Sequence, residues 1–295
     1  SCTCKRLESD LFHVIELQNI CNIHCVSCST RLNIRPKGFM DMDLFKDIVD
    51  QYLAYDDSIK KTRVCIHGYG DVLTNPRLFE YLDYLQEKRF SMVDFSDNGM
   101  LFTEEIVRKL CTYSIFAFIK ISLNSSRKEV MEAINTGADF DTVVANAKML
   151  CDIVKEYDYP FQVWIQLMKT SRNLDETTAD TRRLIGRTEN IKYNECPINN
   201  QLNFNPTNDL LMPEWKLWSG KCVFSENNRM VHWDGDLVGC CVDNTKTQVY
   251  GNARDGIYSD KVEAKRQQWE NEMVKGNYSN LPACAMCSAK DNNVN

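Results

Sequence analysis

Short runs rich in β-branched and aromatic residues alternate with longer amphipathic stretches from residue 13 to residue 193 of this 295-residue chain. The strand-like runs are HVIEL from His13, RVCIHG from Arg63, SMVDFSDNG from Ser91, AFIKISL from Ala117, FQVWIQLM from Phe161 and NIKYN from Asn190. Between them, DLFKDIVDQYLAY, PRLFEYLDYLQEK, EEIVRKLCTY and FDTVVANAKMLCDIVKEY space their apolar residues near the helical period. Asn75 followed by Pro76 reads as the N-cap and first-turn pair of the second helix. Parallel strands need crossover connections, and the crossover helices then cover the sheet. Six such units therefore predict an α/β fold, an open partial barrel of six strands. On such sheets ligands collect at the carboxyl ends of the strands.

The first of those strand ends carries Cys21, Cys25 and Cys28, in the segment IELQNICNIHCVSCSTR. Three cysteines at Cys-x3-Cys-x2-Cys spacing can grip only one small object. Thiolates bind iron–sulfur clusters and zinc, and a four-iron cluster ordinarily takes four of them. The nearest other cysteines, Cys4 and Cys65, lie well outside the loop. A cluster held here by the loop alone would keep one iron open for chemistry. Two other readings stand beside it: a structural zinc site completed by His24 or His67, and buried thiols packed as small hydrophobes.

The whole chain narrows the choice. Fourteen cysteines in a chain this long, with 43% hydrophobic and 26% charged residues, do not make a secreted disulfide scaffold. They point to a reducing, cytoplasmic compartment and to metal or catalytic use. The opening SCTCKRLESD is not a signal peptide, and no apolar run approaches membrane-spanning length. A net charge of −6 argues against nucleic acid as partner and suits a polar or cationic substrate.

The triplet and its place after a first strand resemble the radical S-adenosylmethionine (SAM) superfamily. In that family the open iron chelates SAM, and reduction releases a 5′-deoxyadenosyl radical that takes a substrate hydrogen atom. The resemblance implies a SAM site at the strand ends. Gly68-Tyr69-Gly70-Asp71 is similar to the family's Gly-Gly-Glu type motif, departing from it at Tyr69 and Asp71; its null is an ordinary strand-to-helix turn. Asn98, Ser122 and Asn124 follow the third and fourth strands, where small polar residues face SAM, although loop capping explains each equally well. Gln166 on the fifth strand joins them. The aromatic residue that usually precedes the third cysteine is replaced by Ser27, leaving Val26 or Ile165 to pack the adenine.

A second pattern closes the chain. Cys222-x12-Gly235-x4-Cys240 is followed by Cys284-x2-Cys287. It resembles the SPASM extension of radical SAM enzymes in its truncated "twitch" form. That implies a second [4Fe–4S] cluster with complete ligation by Cys222, Cys240, Cys284 and Cys287; a structural zinc ribbon is the competing reading. Cys241 is surplus to that count and reads as a hydrogen-atom donor or a packed thiol. Cys65, Cys111 and Cys151 fall on core-like faces.

The expected organisation is a tail over residues 1–12, a barrel over 13–193, a connector over 194–221 and a small α+β twitch domain over 222–295. The resemblance implies an enzyme with SAM, two [4Fe–4S] clusters and a flavodoxin- or ferredoxin-type reductant. Loss of a proton and an electron from a carbon radical bearing a hydroxyl gives a ketone, and the second cluster can accept the electron. This favours oxidation of a small polar molecule such as an aminocyclitol or amino sugar. Epimerisation with Cys241 as donor, and modification of a ribosomally made peptide, are the alternatives. Twelve residues precede the first strand, too few for the leader-binding domain of many peptide modifiers. Arg172, after the fifth strand, is a candidate for binding substrate hydroxyl or carboxylate groups; His67, Tyr69 and Trp215 are further lining candidates. An electron carrier or a zinc-stabilised scaffold are the non-enzyme readings.

Overall fold

The computed structural model describes residues 12–186, 190–198 and 228–286. The six expected strands are present: β1 (Phe12–Ile15), β2 (Val64–Cys65), β3 (Val93–Asp97), β4 (Phe116–Ile121), β5 (Gln162–Lys169) and β6 (Ile191–Pro197). Neighbours pair in parallel from β1 through β6. The helices between them are α1 (Met42–Tyr55), α2 (Leu78–Glu87), α3 (Glu104–Leu110), α4 (Lys128–Ile134), α5 (Phe140–Glu156) and α6 (Thr178–Ile185). Alternation sends Ile15, Ile66, Phe95, Ile119, Ile121 and Ile165 to the helix side, where they share one core with Phe45, Leu82, Val107 and Leu150.

Local chemistry sets the helix starts. Asp41 caps α1 by accepting from the Asp43 and Leu44 N–H groups, Thr103 caps α3 and Asp139 caps α5. Thr177 and Asp180 form a capping box on α6. The Asn75-Pro76 expectation differs from the structure. Asn75 Oδ1 accepts from the Arg77 N–H at 2.9 Å, as a capping side chain does, but α2 begins only at Leu78, after Pro76 and Arg77; the Asn75 amide N–H reaches back to Gln18.

Two features depart from the sequence reading. β6 runs on to Pro197, into the expected connector, pairing with β5 as far as Lys169. And the C-terminal strands join the same sheet. β7 (Asn228–Val231) lies parallel to the free edge of β1, with Phe12 opposite Asn228. β8 (Asp236–Val238) and β9 (Val249–Asn252) extend it in antiparallel fashion. The strand order is β6-β5-β4-β3-β2-β1-β7-β8-β9, and the two end strands do not meet. α7 (Asp260–Val274) and α8 (Pro282–Ala285) follow. Among the described residues no helix is long and apolar enough to cross a membrane.

Candidate functional site at the carboxyl ends of the strands

β1 delivers the chain into the cysteine loop through Glu16, Leu17, Gln18 and Asn19, all buried. Neighbouring elements then clamp the loop. The N–H groups of His24 and Val26 donate to the carbonyls of Thr136 and Ile134, just past α4 and at its last residue. Thr30 Oγ1 donates to the Tyr69 carbonyl at 2.6 Å. Arg35 forms a two-pronged pair with Glu16 at 2.8 and 2.7 Å, buried on both sides. Such a pair fixes orientation more than it adds stability.

Inside this frame Cys21, Cys25 and Cys28 are half-buried and free of disulfides. Asn98 Nδ2 donates toward Cys21 Sγ at 3.8 Å, Cys25 Sγ toward Asn135 Oδ1 at 3.7 Å, and Cys28 Sγ donates to Thr30 Oγ1 at 3.2 Å. Among the described residues, ligand atoms of three or more His, Cys or carboxylate side chains come within 4.8 Å of one another only at Cys65, His67 and Asp94. The loop thiols are thus more widely set than a lone tetrahedral zinc, whose Zn–S bonds of about 2.3 Å put its sulfurs roughly 3.8 Å apart. Burial pushes the Cys21 thiol up to about 11 and the Cys25 thiol up as well. Metal binding has to draw those protons off, so loading releases protons.

The Gly68–Asp71 turn is pressed against this loop. A Cβ at Gly70 would stand 2.7 Å from the carbonyl oxygens of Gln18 and Ile20, and one at Gly68 would stand 2.6 Å from Glu16. The glycines admit the backbone leading to the cysteines. Asp71 caps the turn: Oδ1 accepts from the Leu73 N–H and Oδ2 from the Asn98 N–H. It also faces Asp97. Burial raises both carboxyls, and each raises or relieves the other through one shared proton. Asn98 holds the loop through Asn22 at 2.8 Å. Asn124, left-handed at φ 66°, bonds Asn135, which in turn bonds the Ser122 carbonyl.

The strand ends also carry a buried oxygen with no hydrogen-bond partner among the described residues, Asn124 Oδ1. Such an orphan suits a ligand bearing ammonium and hydroxyl donors, as SAM does. Ile165 is wholly buried on the helix side and is not available to an adenine; Val26 is half-buried in the loop. Arg172 lies exposed in the turn after β5, where its carbonyl accepts from Arg127.

The Cys65–His67–Asp94 group faces the barrel interior and its donors are engaged. Cys65 Sγ and the Ser96 N–H converge on His67 Nδ1 at 2.9 and 3.1 Å, and Arg63 holds Asp94 at 2.6 and 3.0 Å. Cys65 thus packs inward, unlike Cys111 and Cys151, which enter the helix-side core.

The C-terminal cysteines approach from the β7–β8 side. Cys240 and Cys241 follow β8, and the Tyr69 hydroxyl donates to the Cys241 carbonyl at 2.8 Å. Tyr69 lies in one apolar cluster with Val14, Met230 and Val238, against which Cys28 and Cys241 pack. A hydrogen bond with Cys241, added to burial, raises the Cys240 thiol. Cys284 lies in α8. Cys222, Cys287 and Trp215 lie outside the described residues.

The signature of the Radical SAM superfamily matches residues 15–185, the barrel and its cysteine loop. The chain belongs to the radical SAM superfamily. Membership brings SAM and one [4Fe–4S] cluster. A curated relative, the antilisterial bacteriocin subtilosin biosynthesis protein AlbA of Bacillus subtilis strain 168, is 27% identical over 143 residues, 48% of this chain and 31% of that protein. The chain thus matches less than a third of that relative's length. BtrN, solved in complex with AdoMet and 2-DOIA, superposes with a TM-score of 0.64 at 17% identity, over 95% of this chain and 93% of that one. Streptococcus suis SuiB bound to the precursor peptide SuiA gives 0.64 at 12% identity, over 87% and 64%. anSMEcpe with bound AdoMet gives 0.60 at 16%, over 86% and 81%. At these identities the likeness is one of fold. BtrN and anSMEcpe are of the SPASM/twitch type.

Proposed function

We propose that this chain is a radical SAM dehydrogenase acting on a hydroxyl-bearing polar small molecule, of the aminocyclitol or amino-sugar kind. Cys21, Cys25 and Cys28 are the cluster ligands in this reading, and Cys222, Cys240, Cys284 and Cys287 hold an auxiliary four-iron cluster. Together the first cluster and SAM supply the 5′-deoxyadenosyl radical that removes a hydrogen atom from a substrate carbon. Gly68 to Asp71 bring the backbone of the second strand to the cofactor, and Asn98, Ser122, Asn124 and Gln166 stand around it.

One observation carries the choice of oxidation. Tyr69 belongs to the apolar cluster against which both Cys28 and Cys241 pack, and it donates to the Cys241 carbonyl, so the cysteine loop and the turn carrying Cys240 and Cys241 meet at one buried contact. That closeness suits transfer of the second electron to an auxiliary acceptor. It also keeps a second reading in play. Cys241 packs against the same inward cluster as Cys28, where a thiol could return a hydrogen atom and make the product an epimer.

Anaerobic turnover with SAM, dithionite and candidate aminocyclitols in heavy water separates the two. The expected product is two mass units lighter than its substrate, formed by wild type and by Cys241→Ala alike. A product of unchanged mass in light water that gains one solvent deuterium in heavy water, and is lost in Cys241→Ala, would move the function to epimerisation.

A further inference from the structure

In a parallel sheet covered on both faces, strands read as nearly continuous apolar runs. β3 to β6 do not. Their helix-side residues are apolar, and by strict alternation the opposite row faces the barrel interior. That row contains Ser96 on β3, Lys120 on β4, Gln166 on β5 and Asn194 on β6. Ser96 is in register with Lys120, and Gln166 with Asn194. Lys120 is in register with Trp164, so Gln166 stands diagonally from it, one pleat nearer the strand ends. The four make one polar tier two pleats deep across four adjacent strands, Ser96 and Lys120 level with Trp164, and Gln166 and Asn194 one pleat nearer the strand ends.

Beside Lys120, and below Gln166 and Asn194, the interior has an aromatic floor. The Phe118 and Trp164 rings stack with centroids 4.1 Å apart, Arg63 lies over Phe118 and Lys192 over Trp164. Above it lie the strand ends that carry the cysteine loop.

The tier is unusual in what it does not bond. Among the described residues, Lys120 Nζ makes no hydrogen bond or ion pair, the Gln166 amide has no partner, and Ser96 Oγ and Asn194 Oδ1 are buried orphans. Ser96 Oγ and Asn194 Oδ1, buried without partners, cost stability unless something else bonds them, and the half-exposed Lys120 ammonium stands open to an anion beside them. The carboxylates nearby do not answer Lys120. Arg63 holds Asp94, Arg35 holds Glu16, and Asp71 and Asp97 share a proton at the strand ends. His67 adds a donor. Its Nδ1 accepts from the Ser96 N–H, so the ring proton sits on Nε2, and burial, with the Lys120 and Arg63 charges, holds it neutral down to about pH 3.

We propose that this tier is the substrate-binding site and that Lys120 binds an anionic group of the substrate, a carboxylate or a phosphate. Ser96 and Asn194 bond its hydroxyl groups, and Gln166, placed around SAM, stands between them and the cofactor. The inference rests on the dehydrogenase reading and narrows its substrate class: an amine belongs away from the floor, and an acid group belongs on Lys120. The reacting carbon then lies between the tier and the SAM site. No residue of the tier carries the radical; Lys120 is a binding residue.

The test reads Lys120 directly. The rate of its acetylation by an N-hydroxysuccinimide ester, mapped by peptide mass spectrometry on the full reconstituted chain, is followed against inorganic phosphate, acetate, D-glucuronate, D-glucose and D-glucosamine at one ionic strength. Anions should slow acetylation of Lys120 and leave exposed lysines unchanged, while glucose and glucosamine should not. Protection by acetate and glucuronate alone marks a carboxylate site, by phosphate alone a phosphate site, and by all three a site that reads charge. In calorimetric titration Lys120→Met should weaken anion binding roughly 10- to 100-fold, the range of one charge-assisted hydrogen bond, and Lys120→Arg should restore part of it. Equal protection by glucose, no protection by any anion, or unchanged affinity in Lys120→Met overturns the proposal. None of these readouts needs turnover. An anion site with no oxidised product would refute the dehydrogenase reading alone, and oxidised product with Lys120 unprotected would refute the anion site alone.

Discussion

α5 and α7 are helices of similar length, 17 and 15 residues, with opposite ways of staying in place. α5 buries Phe140, Val143, Ala147, Leu150, Cys151, Ile153 and Val154 against the sheet. α7, among its described side chains, buries Val262 and little else. One ion pair ties it to the sheet, Glu263 to Arg229 on β7, and Trp269 packs partly buried against the core, while Arg266 pairs with Glu263 and Glu270 within the helix itself. The hairpin beside it is tied by Lys246 to Asp234 and Asp236. Partly exposed ion pairs contribute only about 0–1 kcal/mol each, whereas each well-buried leucine or isoleucine contributes roughly 1.5–3 kcal/mol. The barrel therefore stands on its own core. The C-terminal segment joins that core through fewer residues, Val231, Leu237, Tyr250, Ala253, Ile257 and Val262, and adds strand pairing at β1.

The sharpest way to break this contrast is to remove the cysteines of one region at a time. Cys240→Ala with Cys284→Ala should lower iron from about eight to about four per chain, expose α7 amides to hydrogen exchange and leave 5′-deoxyadenosine formation intact. Alanine at Cys21, Cys25 and Cys28 should remove a similar amount of iron and abolish 5′-deoxyadenosine formation, with barrel protection nearly unchanged. If both variants lose barrel and C-terminal protection together, the two regions are one cooperative unit.

Packing gives the next largest effect. Leu150→Ala should cost roughly 2–5 kcal/mol in urea unfolding. Val262→Ala should cost about 1.5 kcal/mol, two methylene equivalents, and Arg266→Ala no more than about 1 kcal/mol. A larger loss from Arg266→Ala than from Leu150→Ala would reverse the contrast.

The smallest effect is on pH, and it touches both regions. Burial lowers His13 and His67 to about 3 and His232 well below its usual range. In the unfolded chain these rings take up protons near 6.5, so the folded state binds fewer protons in acid. Stability is fully present above pH 6.5 and is lost as pH falls toward 3. Cys21, raised from 9.0 to about 11, acts at the other end. The metal-free protein should lose stability as pH rises from 9 through 11. Urea midpoints across this range, with Cys21→Ala flattening the alkaline limb, check both slopes.

Much of the barrel is legible in the sequence because each β–α unit carries its own periodicity. Its short polar helices are not: α4 and α6 bury two residues each and show little apolar spacing. The seating of β7 against β1 is invisible for another reason, since a four-residue strand has no local mark naming a partner two hundred positions away. At the site, the cysteine triplet can be read directly from its spacing. The purpose of Gly68 and Gly70 cannot, because the groups they admit, Glu16 and the Gln18 and Ile20 carbonyls, are remote in sequence. Lys120 had a readable sign: a lysine amid AFIKISL is out of place in a strand expected to be covered on both faces.

The position of β1, between β2 and β7, has a consequence for how the protein is made. As the chain leaves the ribosome, β1 gains β2 as a neighbour early, but its other edge stays bare until residue 231 has emerged. For that interval the nascent barrel shows open backbone beside the cysteine loop, the kind of edge that recruits another chain. Iron arriving before β7 would find a loop not yet fixed from that side; afterwards Trp233 and Asn244 bond Glu16, Arg35 and Ser29 beside it, while the three cysteines stay half-exposed. The finished fold therefore still admits iron, and the arrival of β7 sets the rigidity of the loop that receives it.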